Sequence, residues 1–248
     1  MDPALPSSDP PPLALVTGGA RRIGRAIALA LCQEGYAIGL HFNTSSEEVR
    51  QTAGEIRQLG REAYLIQGDL TDPEQIRGMF REIDRLPRRL GVLVNSASRM
   101  ERADLLEISV ERWDATLALN LRAPLLCAQE AARRMGEQGG AIINITDAGA
   151  HKVWTGYPAY TVSKAGLETL TRLLARTLAP RIRVNAVAPG MILPSEQAGV
   201  EEWERLVRQL PLKRAGSTEA IARAVVFLLQ NEYITGQTLV IDGGYQLL

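Results

Sequence analysis

Seven short apolar runs, beginning near positions 13, 37, 62, 92, 141, 182 and 238, alternate along the chain with stretches whose apolar residues recur at helical spacing. Runs such as Leu13–Thr17 (LALVT) and Ala141–Ile145 (AIINI) lack the polar alternation of a half-solvated strand, so they read as strands covered on both faces. Strand and helix in strict succession predict parallel pairing with right-handed crossovers, hence an α/β fold with a doubly wound seven-stranded parallel sheet. Two helices, expected over Glu111–Met135 and Tyr160–Leu178, are longer than covering a sheet requires. At 248 residues and 46% hydrophobic, one sizeable core suffices, so a single domain is expected over 13–248. The proline-rich residues 1–12 (MDPALPSSDPPP) read as a flexible tail without the apolar core of a signal peptide.

The first strand ends at Gly18 and Gly19, and helical spacing starts at Ile23 with Gly24 in its first turn. Strand, glycine turn and helix form a site for a pyrophosphate, because glycines admit close approach and the helix start offers unpaired N–H groups. A structural turn is the competing reading, since Arg22 interrupts the familiar glycine spacing. The second strand, Ala37–Phe42, runs into Asn43, Thr44 and Ser45, where no carboxylate waits to grip an NAD ribose. Hydroxyls and an amide, with Arg21 and Arg22 nearby, suit the 2′-phosphate of NADP(H) instead. The same three residues also read as a cap for the next helix, with Glu47 and Glu48 in its first turn.

Asp147 lies just past the C-terminal end of the Ala141–Ile145 strand, where open α/β sheets place ligands. Tyr160 and Lys164 follow at a spacing of one helical turn, so they share a helix face. An ammonium there is expected to favour ionisation of the phenol and ease its proton transfer. Asp147 as a turn residue, and Tyr160 with Lys164 as a surface pair, are the bland alternatives.

With these residues in view, the chain after Pro12 resembles the short-chain dehydrogenase/reductase family, which implies a Rossmann-type sheet and a nicotinamide cofactor. TGGARRIG (Thr17–Gly24) looks like its glycine loop, NSAS (Asn95–Ser98) its segment beneath the cofactor, and YTVSK (Tyr160–Lys164) its catalytic helix. The resemblance implies cofactor contacts at Gly18, Arg21, Arg22, Ile23, Gly24, Asn43, Thr44, Ser45, Asp69, Leu70, Asn95, Ala97, Lys164, Pro189 and Gly190. It implies catalytic roles for Asp147, Tyr160, Lys164 and Asn120, the last linking the lysine to water. Two departures, Asp147 for the usual serine and Arg22 for the loop's usual glycine, look like the pteridine reductase and dihydromonapterin reductase branch. That branch implies substrate contacts at Arg22, Ser98, Met100, Asp147 and Tyr160, with Met100 standing where an aromatic ring commonly stacks on the pterin. Trp154 and Tyr157 offer a substitute wall, ordinary packing being the alternative. Met191–Leu210 is expected to form a lid, about 190–212, with Trp203 near the cleft, and the long helices to pair in a homotetramer.

Charge and cysteine content narrow the partners. Lys plus Arg equals Asp plus Glu at 28 each, so no basic field recruits nucleic acid. No run reaches the length of a membrane helix, and a cytoplasmic location is expected. Cys32 and Cys127 fall on apolar helix stripes and read as reduced thiols, while His41 and His151 have no ligand-spaced companions, so metal binding is not expected. The expected activity is NADPH-dependent reduction of a small pterin-like substrate. A 3-oxoacyl-carrier-protein or general carbonyl reductase is the alternative, and a non-catalytic dinucleotide-binding scaffold the alternative of another class.

Overall fold

The seven apolar runs become seven strands, all parallel: β1 (Leu13–Thr17), β2 (Ala37–Phe42), β3 (Ala63–Gln67), β4 (Leu90–Asn95), β5 (Gly140–Ile145), β6 (Ile182–Pro189) and β7 (Thr238–Ile241). They lie in the order β3-β2-β1-β4-β5-β6-β7 in one sheet of a Rossmann-like single-domain fold. The computed structural model describes residues 11–194 and 199–248, so most of the proline-rich tail and part of the expected lid lie outside the described residues.

Side chains alternate across each strand and divide the core in two. Ala14, Val16, Val92, Val94, Ile143 and Ile145 pack with α1 (Arg22–Gln33), α2 (Ser46–Gln58) and α8 (Thr218–Gln230) on one face. Leu13, Leu15, Leu93 and Ile142 pack with α3 (Pro73–Ile83), α5 (Ala123–Met135) and α6 (Pro158–Leu178) on the other. Local chemistry sets the helix starts: Asp72 accepts from the Glu74 N–H at 2.8 Å ahead of Pro73, and Pro158 opens α6. Both cysteines are buried and free, Cys32 on α1 and Cys127 on α5.

The strand order reverses between β1 and β4, which opens a crevice at the C-terminal strand ends. Register brings Thr17 beside Asn95 and Asn95 beside Asn144, so the loops after β1, β4 and β5 converge there. The expected continuous helix over Glu111–Met135 is instead α4 (Val110–Leu117), a π-helical segment Ala118–Arg122 and then α5. Apolar spacing cannot reveal such an insertion, because it rotates the helix face without interrupting burial. Its product is the placement of Asn120 at 1% exposure. The remaining helix, α7 (Val200–Gln209), follows the undescribed residues 195–198.

Candidate active site

The glycine loop is dictated by sterics. Gly18 has φ +64°, and a Cβ on it would stand 3.0 Å from the Ala97 Cα. A Cβ on Gly24 would meet the Gly18 carbonyl oxygen at 2.1 Å, so the helix packs onto the turn only with glycine. Arg22 keeps a left-handed φ of +54°, the conformation a glycine there would adopt freely, and its Nη2 donates to the Pro194 carbonyl at 3.0 Å. Arg21 and Arg22 are exposed beside the loop, and Asn43 and Thr44 are exposed at the end of β2. Ser45 makes no side-chain cap bond to α2, so the capping reading fails for that hydroxyl.

His41, which the sequence reading set aside, is buried beneath this loop. Its Nδ1 accepts from the Gly18 N–H at 3.1 Å, and its Nε2 lies 3.0 Å from the Gly68 carbonyl. Burial pulls its pKa down to about 4, so the imidazole is neutral with its proton on Nε2. The loop is thereby pinned to β2 and to the end of β3. At the next position, the Asp69 carboxylate accepts from the Thr71 N–H and hydroxyl, both at 2.8 Å, while Leu70 is buried.

A chain of buried polar groups ties the loops together. Thr17 Oγ1 accepts from the N–H groups of Ser96 and Ala97 at 2.9 and 3.1 Å. Asn95 Nδ2 donates to Asn144 Oδ1 at 2.9 Å, and Asn144 Nδ2 donates to Thr171 Oγ1 on α6 at 2.9 Å. From the π-helical segment, Asn120 donates to the Arg99 carbonyl at 2.8 Å and to Ser163 Oγ at 3.1 Å. Its Oδ1 accepts from the Arg99 N–H and the Ser98 hydroxyl. Ser98 is therefore engaged with Asn120, which bonds both to the loop after β4 and to Ser163, the residue before Lys164 on α6. Every buried side-chain polar atom of the described residues has a partner, as a preorganised site requires.

Asp147, Tyr160 and Lys164 converge at the centre of this frame. The Tyr160 hydroxyl donates to Asp147 Oδ2 at 2.6 Å, and the Gly149 N–H donates to Asp147 Oδ1 at 2.6 Å. Lys164 Nζ donates to the Ile145 carbonyl at 2.8 Å and lies 5.6 Å from the centre of the Tyr160 ring. Burial raises the Asp147 pKa against the hydrogen bonds and Lys164, which act to lower it. Burial pulls Lys164 down to about 8, opposed by Asp147. The expectation that Lys164 eases ionisation of Tyr160 is corrected here: burial and the adjoining carboxylate push the phenol well above its ordinary value. Burial and the carboxylate 2.6 Å away therefore keep the Tyr160 phenol protonated and donating its hydrogen bond to Asp147.

Met100 and Trp203 are half-buried, Trp203 on α7. Pro189 ends β6, and the Gly190 N–H donates to the Ile241 carbonyl at 2.9 Å, where a Cβ would clash with Asp242. Trp154 packs over Gly149 and against Tyr157 and Tyr245, the last a residue that sequence reasoning missed. A hollow of about 570 Å³ between Pro12, Leu31, Tyr36, Arg61 and Val226 lies at the N-terminal strand ends, away from these groups. No cluster able to hold a metal ion, and no helix long and apolar enough to cross a membrane, occurs among the described residues.

Glycine loop, buried Asn network and Tyr-Lys helix at the C-terminal edge of this sheet define a nicotinamide-type oxidoreductase site. A family model described as enoyl-(acyl carrier protein) reductase matches residues 18–246, and the chain belongs to the short-chain dehydrogenase/reductase family. It is 41% identical to carbonyl reductase family member 4 of Danio rerio, over 95% of this chain and 98% of that protein. It is 37% identical to the 3-oxoacyl-[acyl-carrier-protein] reductase FabG of Staphylococcus aureus, over 93% of this chain and 96% of that one. In structure it is similar to the FolM alternative dihydrofolate reductase 1 of Brucella canis, solved with NADP. That likeness has a TM-score of 0.91 and 37% identity, covering 96% of this chain and 94% of the other.

Proposed function

We propose that the protein is an NADPH-dependent reductase of pteridines of the dihydrobiopterin, dihydromonapterin or dihydrofolate type. The observation that carries this reading is the buried Tyr160–Asp147 hydrogen bond of 2.6 Å, a proton-donating pair where a ketone reductase needs only a hydroxyl. The likeness to the Brucella dihydrofolate reductases, both solved with NADP, supports it.

The loop geometry fits NADP(H). Gly18 and Gly24 leave a cradle that any Cβ would fill, Arg21 and Arg22 stand beside it, and the end of β2 carries no carboxylate. When bound, the nicotinamide supplies the hydride that goes to carbon. The protein's share is the proton on the adjacent nitrogen. Asp147 in its protonated form is the donor: its carboxyl releases the proton to the ring nitrogen, and the Tyr160 hydroxyl, bonded to Oδ2, steadies the carboxylate that remains. Lys164, bonded to the Ile145 carbonyl, is assigned to the ribose hydroxyls, and its charge offsets the carboxylate left after transfer. Arg22 is assigned to cofactor phosphate and, with Met100 and Trp154, to the pterin edge.

A second reading, reduction of a 3-oxoacyl thioester or another ketone, is favoured by the Danio rerio and Staphylococcus aureus relatives and by the non-aromatic Met100. The test is NADPH oxidation with a dihydropterin against an acetoacetyl thioester. A larger kcat/KM for the pterin supports the first reading, and an equal or smaller one supports the second. Val162 and Leu173 stand exposed about three turns apart on α6, with Val110 exposed at the start of α4, and on this outer surface we place the contacts of a homotetramer. A cytoplasmic location accords with this activity.

A further inference from the structure

We propose that Tyr245, in the C-terminal turn, is a positioning residue for the acid of the site, acting through Trp154 and the turn that begins at Asp147. The inference rests on the reading of Asp147 as proton donor. It starts from a strained residue. Val153 has a φ of +53° and is largely exposed, a conformation that a β-branched residue avoids and that persists only where its surroundings over-determine it.

Both neighbours of Val153 are anchored to the C-terminal residues. On one side, Lys152 Nζ lies 4.6 Å above the Tyr245 ring and donates to the main-chain oxygens of Tyr245 and Leu248 at 3.2 and 2.7 Å. On the other, Trp154 Nε1 donates to the Tyr245 hydroxyl at 2.6 Å, the rings meeting edge to face at 6.0 Å. Gln246 adds a bond to the Ala148 carbonyl at 3.3 Å. The C-terminal turn is itself preformed, because Asp242 accepts from the N–H groups of Gly244 and Gln246 at 2.8 and 2.9 Å.

What this clamp holds is the Trp154 indole over Gly149. A Cβ on Gly149 would come within 2.7 Å of indole Cε2 and Cζ2, and within 2.8 Å of Asp147 Oδ1. The N–H of Gly149 is the donor to Oδ1, and Oδ2 receives the Tyr160 hydroxyl. Tyr245 therefore fixes the indole, the indole fixes Gly149, and Gly149 fixes the carboxylate. The charged and titratable groups facing Asp147 are Tyr160, Lys164 and Glu168 from α6 and Tyr245 from the C-terminal turn. Releasing the indole admits water to Asp147 and removes part of the desolvation that dominates its titration.

The test uses the full chain with NADPH and the variants Tyr245→Phe, Trp154→Phe and the double. One readout needs no substrate: the carboxyl titration of Asp147 by ¹³C NMR, assigned with Asp147→Asn. Its midpoint falls by about one unit in each variant as water reaches the carboxylate. With a dihydropterin, kcat falls roughly fivefold to tenfold, the scale of one hydrogen bond, while KM for NADPH holds. The double variant loses no more than the worse single, since both cut one chain of contacts. If Tyr245→Phe folds poorly, Trp154→Phe alone, which removes the indole N–H that Tyr245 holds, should lower the same midpoint. An unchanged midpoint, or losses that multiply in the double, overturns the proposal. A shifted midpoint in a protein inactive on pterins sustains the positioning role and removes the pteridine reading alone.

Discussion

Replacing His41 with Gln removes a buried titratable group that holds the nucleotide loop. At 3% exposure, with its Nδ1 accepting from Gly18 and its Nε2 donating to Gly68, the imidazole cannot take a second proton without turning an N–H against the Gly18 N–H. Its pKa accordingly drops from 6.5 to about 4. The folded-state value is the lower one, so between those limits the unfolded chain binds a proton that the folded chain refuses. The stability held above pH 6.5 is therefore lost as pH falls towards 4. A shift of roughly 2.5 units corresponds to about 3 kcal/mol, with about 1.4 kcal/mol already gone at pH 5.5. The introduced glutamine supplies a donor and an acceptor that do not titrate, so His41→Gln keeps a flatter profile. Urea unfolding of both proteins from pH 7.5 to 4.5 measures the difference. Curves that stay parallel over this range would refute the argument, because they would mean that His41 titrates alike folded and unfolded.

Two other perturbations follow from the loop and the catalytic helix. Burial pulls Lys164 down to about 8, so kcat/KM should fall above that pH as the ammonium is lost, and Lys164→Arg should move the alkaline limb upward; a limb unmoved by that substitution would assign it elsewhere. Arg22→Gly removes the cost of a left-handed side chain, on the order of 1 kcal/mol, and should raise the thermal midpoint slightly while weakening NADPH several-fold; calorimetry and cofactor titration check both signs.

Strand positions and their parallel pairing were legible because parallel strands buried on both faces announce themselves as unbroken apolar runs, as LALVT and AIINI do. The Asp147–Tyr160–Lys164 grouping was legible in part from spacing, which set Asp147 at a strand end and Tyr160 and Lys164 on one helix face, and in part from the family resemblance, which joined the three. The π-helical segment around Asn120 was not, since a single inserted residue in the backbone ladder leaves no trace in apolar spacing. His41 was passed over because its partners, the Gly18 N–H and the Gly68 carbonyl, are backbone groups that no motif names. Tyr245 lies 91 residues from Trp154, so only the closed fold brings them together. The sign of the Tyr160 shift depended on burial, which spacing does not measure.

Asp147→Ser tests the central claim most directly, with kcat/KM measured for a dihydropterin and for an acetoacetyl thioester under NADPH saturation. Serine can still donate a hydrogen bond to a ketone oxygen but is too weak an acid to protonate a ring nitrogen, so pterin reduction should fall by about two orders of magnitude, the scale of a lost acid catalyst, while ketone reduction holds or rises. A ratio of the two rates left unchanged by the substitution would contradict the account.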